Sequence, residues 1–373
     1  MAGIYVHIPF CKKKCIYCDF FSVGASPENV EAYADLIIKE YEARREELGG
    51  EAVRTVYFGG GTPSLMSPRS LARILGSFRD MESVGEVTLE VNPDDVTPDF
   101  VRDIREAGIN RVSMGVQSFD DAELRFLMRR HDARGAEMAV DCLRNGGIEN
   151  VSIDLIYGIP GQTVASWERS LRKAIGMGLP HLSSYCLTYE EGTLLTRKRD
   201  KGEFEPLTDE ECVAMYDCLA SEMRKAGYEH YEISNFALPG FRSRHNSAYW
   251  NFTPYLGLGA SAHSFDGRCR RYNPSSLRGY RERIEQDGVA CEIEQESVNE
   301  LYNEWVMTRL RTSDGMSLND LQSRFGEEKR SYAEKAAASY LRAGDLKKEA
   351  DVLSLTDRGV MVSDAVFRDL FIV

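Results

Sequence analysis

No apolar run in this 373-residue chain approaches the ~18 consecutive residues that a membrane-spanning helix needs. No signal-like segment opens it either, since Met1-Ala2 leads straight into Gly-Ile-Tyr-Val-His-Ile, and the expectation is a cytoplasmic protein. Positive charge is in short supply: 46 Lys and Arg stand against 59 Asp and Glu, a formal net charge of −13. That deficit argues against nucleic acid as the partner, because a phosphate backbone is bound mainly through basic side chains. Repeats and low-complexity linkers are also missing. What is present, 43% hydrophobic and 28% charged residues, is the composition of a folded globular chain. Its length suits two or three domains.

Cysteine is the exception to this plainness. There are nine, and in a reducing compartment they are not expected to pair as disulfides. Cys142, Cys186, Cys212, Cys218, Cys269 and Cys291 are scattered and read as packing residues. Cys11, Cys15 and Cys18 instead fall close together in a C-x3-C-x2-C spacing. Three thiolates on one loop suit an iron–sulfur cube with one iron left open. The competing reading is zinc, with His7 or Asp19 completing a tetrahedral site. The triplet alone leaves both readings standing, with simple packing as the third.

Along the chain, β-branched or aromatic runs at 3–8, 53–58, 86–91, 110–114, 151–156 and 181–187 alternate with segments of helical spacing at 28–48, 68–80, 98–107, 120–145 and 163–177. Ser26-Pro27, Ser67-Pro68 and Thr97-Pro98 mark helix starts, each a capping residue followed by Pro. Six strand–helix units predict an α/β fold with a parallel sheet, a partial (β/α)6 barrel short of the eight units that close a TIM barrel. Residues 1–190 form this unit. Residues 191–290 read as an extension and linker, with a helix at 208–227, a strand at 228–234 and a Gly-, Asn- and aromatic-rich stretch at 238–280. Residues 291–373 read as a mainly helical, winged-helix-like domain. Its 11 Lys and Arg against 16 Asp and Glu fit poorly with nucleic-acid binding.

Sites in such barrels collect at the C-terminal strand ends, and unusual residues recur there. The first strand leads to the cysteine loop and the second to Gly59-Gly60-Gly61-Thr62-Pro63. The third ends at Glu90 before Asn92-Pro93, the fourth at Gln117 and Ser118, the fifth carries Asp154, and the sixth ends near Tyr185 to Thr188. Acidic and amide groups on one rim suit a ligand with an amino group, ribose hydroxyls and a positive centre.

Tyr5-Val6-His7-Ile8-Pro9-Phe10-Cys11 with Cys15 and Cys18, followed by Gly59 to Pro63, resembles the radical S-adenosylmethionine (SAM) superfamily. Within it, the whole chain is similar to the branch holding oxygen-independent coproporphyrinogen III oxidase and the HemW-type heme chaperones. The resemblance implies a [4Fe-4S] cluster on Cys11, Cys15 and Cys18 whose open iron is chelated by SAM, with reductive cleavage of the sulfonium bond to a radical as the superfamily's chemistry. It places the SAM contacts on Tyr5, Tyr17, Gly60, Gly61, Thr62, Glu90, Gln117, Arg129, Asp154 and Thr188. Two departures point away from the oxidase: Phe20 stands where it has a fourth cysteine, and only ten residues precede Cys11. His245-Asn246-Ser247-Ala248-Tyr249-Trp250 instead matches the H-N-x-x-Y-W motif of the chaperones. A neutral imidazole is a natural heme-iron ligand, and Tyr249 and Trp250 offer flat apolar area beside it. His263 is a second candidate heme or cavity residue. The implied function is binding heme and delivering it to acceptor hemoproteins, respiratory enzymes at the membrane surface among them. A homodimer, covalent heme attachment and a radical enzyme acting on a porphyrinogen are left open.

Overall fold

The computed structural model describes residues 1–373. Six parallel strands form its centre: β1 (Ala2–Ile8), β2 (Val53–Gly60), β3 (Glu86–Val91), β4 (Arg111–Gln117), β5 (Asn150–Tyr157) and β6 (His181–Cys186). Each pairs with the next, with Tyr5 opposite Tyr57 and Asp154 opposite Ser183. Helices α1 (Pro27–Arg44), α2 (Pro68–Ser77), α3 (Pro98–Glu106), α4 (Asp121–Phe126), α5 (Ala133–Asn145) and α6 (Val164–Gly176) connect them. The first three begin at the expected Ser-Pro and Thr-Pro pairs. Ser26, Ser67 and Thr97 accept the backbone N–H of Asn29, Ser70 and Phe100, each cap contributing about 1 kcal/mol.

Alternation along the strands separates two environments. Ile4, Val6, Ile8, Val56 and Phe58 pack against α1 and α2 in the main apolar core. The opposite faces carry Gly3, Tyr5, Thr55, Tyr57, Glu90, Ser113 and Asp154, which meet one another inside the barrel. Small and polar inward residues keep this interior from filling completely, which leaves room for a ligand at one end.

The sheet does not close. Strands Asn235–Ala237 and Glu229–Glu232 extend the β6 edge antiparallel. At the other edge Tyr255–Leu258 runs parallel to β1, and His263–Phe265, Arg270–Tyr272 and Glu292–Glu294 follow antiparallel. The strand expected at 228–234 exists, but its partner and the four strands that this sheet gains beyond Trp250 had no sequence signal. They are too short for alternation to show. A buried ion pair anchors this flank to α1: Arg44 Nη1 donates to Glu40 Oε1 at 2.6 Å and to the Gly257 carbonyl at 3.1 Å, and Gly259 N–H and Tyr280 O–H both donate to Glu40 Oε2.

Toward the C-terminus, helices Val298–Leu310, Leu318–Phe325, Glu327–Ala343 and Ser363–Leu370 and a three-stranded sheet enclose a second core centred on Tyr302, Trp305 and Leu321. The hairpin Leu346–Glu349 and Val352–Leu355 is the wing of a winged-helix-like arrangement. Phe252 and Phe265 join the same core, tying it to the sheet's flank. No helix is long and apolar enough to cross a membrane.

Candidate functional site

At the C-terminal ends of the six parallel strands lies a cavity of about 510 Å³. Its wall holds Cys11, Cys15 and Cys18 from the loop after β1, with Tyr17 beside them. Gly60, Gly61 and Thr62 come from the end of β2, Glu90 from β3, Gln117 from β4, Asp154 from β5 and Thr188 from the turn after β6. Arg129 reaches in from the segment between α4 and α5. Of the residues expected to meet SAM, Tyr5 alone is absent from the wall. Its ring lies against Tyr57, and its hydroxyl shares a hydrogen bond of 3.1 Å with His7 Nδ1.

Backbone geometry makes this rim. Gly60 has φ of +115°, and a Cβ there would sit 2.7 Å from the His7 ring; at Gly61 it would sit 2.8 Å from the Phe10 carbonyl oxygen. The glycines thus let the β2 end press against the start of the cysteine loop. Gln117 and Met128 hold left-handed φ values of 71° and 57°. Non-glycine residues rarely adopt these, and they tend to mark functional sites. A register shift between Gly115 and Gln117 accompanies the first.

The thiols and charges are tied together. Arg129 Nη1 donates to Cys15 Sγ at 3.2 Å, while Nη2 donates to Asn92 Oδ1 at 2.7 Å. Thr62 Oγ1 donates to Cys11 Sγ at 3.5 Å, and Asn92 Nδ2 to Thr62 Oγ1 at 3.3 Å. Burial raises the Cys18 thiol, and the neighbouring Cys15 and Cys11 add to the rise. Burial also pushes the Glu90 carboxyl up to about 7 and that of Asp154 up to about 6, against the pull of Arg111. Both carboxyls are poised to pair with a cation, which would restore their charge.

The donor set also discriminates between metals. No three His, Cys, Asp or Glu side chains converge on one ion-sized point. The tetrahedral zinc reading, with His7 or Asp19 as fourth ligand, needs all four donors within about 2.3 Å of one ion. His7 is instead engaged by Tyr5 and by the Phe21 carbonyl. A four-iron cube takes each thiolate on a different iron, so its ligands stand further apart, and the three cysteines on one wall fit it.

The model of the Radical SAM superfamily matches residues 5–174, and that of the HemN C-terminal domain matches residues 297–362. Heme chaperone HemW of Lactococcus lactis is 31% identical over 97% of this chain and 95% of its own, and that of Bacillus subtilis 30% over 98% of each. The Mycobacterium tuberculosis HemW is 35% identical over 99% of this chain and 94% of its own. The chain belongs to the HemW family. Coproporphyrinogen III oxidase (HemN) of Escherichia coli, described as a radical SAM enzyme, superposes with a TM-score of 0.84 at 21% identity, covering 99% of this chain and 90% of that one. The fold is therefore shared, and superfamily membership implies a [4Fe-4S] cluster and SAM as cofactors.

The segment His245 to Trp250 lies at the opposite end of the barrel. His245, Asn246, Tyr249 and Trp250 occupy α9 (Arg244–Trp250), numbered after α7 (Leu194–Asp200) and α8 (Asp209–Lys225). This helix packs across the N-terminal strand ends, with the N–H groups of Arg244 and His245 both donating to the Glu86 carboxylate. His245 is 1% exposed, and burial and then Arg111 push its imidazole down to about 3, so it is neutral. Both ring nitrogens are taken: Nδ1 shares a hydrogen bond of 2.8 Å with Thr55 Oγ1, and Nε2 one of 2.8 Å with Tyr249 O–H. Neither is open to iron in this conformation. Asn246 N–H donates to the Ser243 cap, and Trp250 lies under the Arg311 guanidinium with its Nε1 buried and unpartnered.

His263, a second candidate heme or cavity residue, is not in the cavity wall. The turn after Gly259 reverses the chain, and His263 begins a flanking strand where it is exposed beside Tyr272. Two residues that sequence reasoning did not assign to the site are Asn92, which links Arg129 to Thr62, and Tyr57, whose hydroxyl donates to Glu90 at 2.7 Å. Asn before Pro at a strand end was a signal for the first. Nothing distinguished the second from a core tyrosine.

Proposed function

We propose that this protein is a heme chaperone that binds heme and passes it to acceptor hemoproteins, with a [4Fe-4S] cluster on Cys11, Cys15 and Cys18 and SAM against the rim. The observation that carries this reading is the end-to-end similarity to proteins named heme chaperone HemW, together with the His245 to Trp250 motif. Phe20 in place of a fourth cysteine supports it; that side chain is 64% exposed beside the cavity. When bound, the cluster supplies an electron and SAM a sulfonium bond that an electron can break. The chain's own groups would do the rest. Cys11, Cys15 and Cys18 hold the iron, and Arg129 orients Cys15. Glu90 would meet the ammonium group of SAM and Asp154 a hydroxyl-bearing part, and Gly60 and Gly61 would admit it to the backbone. Heme ligation would fall to His245, after α9 moves away from Thr55, with Tyr249 and Trp250 against the macrocycle. The acceptors, respiratory hemoproteins among them, belong to the same reading.

A radical enzyme acting on a porphyrinogen is the second reading, favoured by a rim that gathers all the expected SAM contacts but Tyr5 and by the oxidase-like fold. One experiment separates the two. Anaerobic, cluster-loaded protein is incubated with heme, and in parallel with coproporphyrinogen, SAM and reductant. Heme uptake without decarboxylated product supports the chaperone, and product formation supports the enzyme.

A further inference from the structure

Glu90 is gripped from two sides before any cofactor arrives. Gly60 N–H donates to its Oε2 at 3.2 Å, and Tyr57 O–H donates to its Oε1 at 2.7 Å. The Tyr57 ring is buried in a three-ring cluster, with centroids 6.1 Å from Tyr5 and 5.1 Å from His245, each inclined by 27°, while Tyr5 and His245 also meet at 6.4 Å. Gly59 makes the packing possible. A Cβ there would lie 2.9 Å from Tyr57 Cε1, 3.0 Å from Tyr5 Cε2 and 3.2 Å from Glu90 Oε1. So the first glycine of the triplet serves this inner contact, whereas the next two shape the rim.

We propose that Tyr57 is a positioning residue that fixes Glu90 for the ammonium group of SAM, and that His245, stacked on Tyr57, makes the barrel floor part of the same support. The consequence is a physical link between the two ends of the barrel. Any movement that withdraws His245 loosens the ring that aims Glu90. By reciprocity, a ligand that rigidifies Glu90 holds His245 in. The charged and titratable groups facing Glu90 are Tyr57, Asp154 and Arg111, with Tyr5, Tyr185 and Tyr249 further round the interior. Of these, the Tyr57 hydrogen bond and Arg111 favour the carboxylate, and Asp154 opposes it.

This proposal rests on the reading of Glu90 as the ammonium contact, and the test separates the two. SAM affinity of the cluster-loaded protein is measured from about pH 6 to about pH 9, and the Glu90 carboxyl is titrated by infrared difference spectroscopy without SAM. Tyr57→Phe keeps the ring and removes one hydrogen bond. It should weaken SAM binding about tenfold near neutrality, raise the Glu90 midpoint and leave iron content unchanged. His245→Ala, or Thr55→Val where that variant does not fold, should move both quantities the same way by less. An unchanged Glu90 midpoint in Tyr57→Phe overturns the positioning role, and one unchanged in both floor variants overturns the link. If Glu90→Gln binds SAM like the wild type, the ammonium reading fails instead, and the infrared midpoint still decides what Tyr57 does.

Discussion

Thr55→Val is the perturbation that most sharply examines how His245 could serve as an iron ligand. Valine matches threonine in shape and removes only the hydroxyl that meets His245 Nδ1 at 2.8 Å. The closed arrangement then loses a hydrogen bond worth about 1 kcal/mol and leaves a buried ring nitrogen unpaired, which costs about 1–3 kcal/mol. The open arrangement, with His245 away from Thr55, is unaffected. Taking about 1.4 kcal/mol as the difference, the open fraction rises about tenfold, and apparent heme affinity rises with it, because affinity scales with the competent fraction. The assay is an anaerobic heme titration followed by absorbance, alongside urea denaturation to read the loss of closed-state stability. Tighter heme binding in a less stable protein is the expected pair of results. Weaker or unchanged heme binding despite the measured destabilisation would refute the reasoning, and the ligand would have to be sought outside α9.

Other outcomes follow from the same geometry. Cys15→Ala should lose the cluster in iron and sulfide analysis, since only two thiolates remain and Arg129 Nη1 loses its acceptor. SAM affinity should rise as pH increases through about 6 to about 7 and then level. Burial holds Asp154 and Glu90 protonated below those values; only the ionised Glu90 attracts an ammonium group, and the ionised Asp154 is the stronger acceptor for a hydroxyl, so Asp154→Ala should flatten the lower part of that profile in a binding isotherm. Arg44→Met strands the buried Glu40 carboxylate and should cost about 3–5 kcal/mol in denaturant unfolding.

The parallel centre was legible because each strand is long enough for alternation and each early helix carries a Ser-Pro or Thr-Pro start. The rim was legible because chemically unusual residues recur at successive strand ends. The flanks were not. Tyr255–Leu258 and the strands after it are held by sheet pairing and by the Glu40–Arg44 network, which only the folded chain assembles. The position of His245 was equally hidden. Its residue type and spacing suggest a ligand, but which end of the barrel it occupies depends on Glu86 capturing the start of α9. Tyr57 sits in a strand where a tyrosine has every reason to be plain core, and its role shows only once β3 brings Glu90 alongside.

The most direct test of the account is transfer. Cluster-loaded protein charged with heme under anaerobic conditions is mixed with an apo b-type cytochrome, and the two are separated and their heme spectra read over time. The account predicts that heme leaves this protein and appears on the cytochrome, faster than free heme is released into buffer. Heme that stays bound, or a wild-type protein that fails to take up heme while decarboxylating coproporphyrinogen, would contradict it.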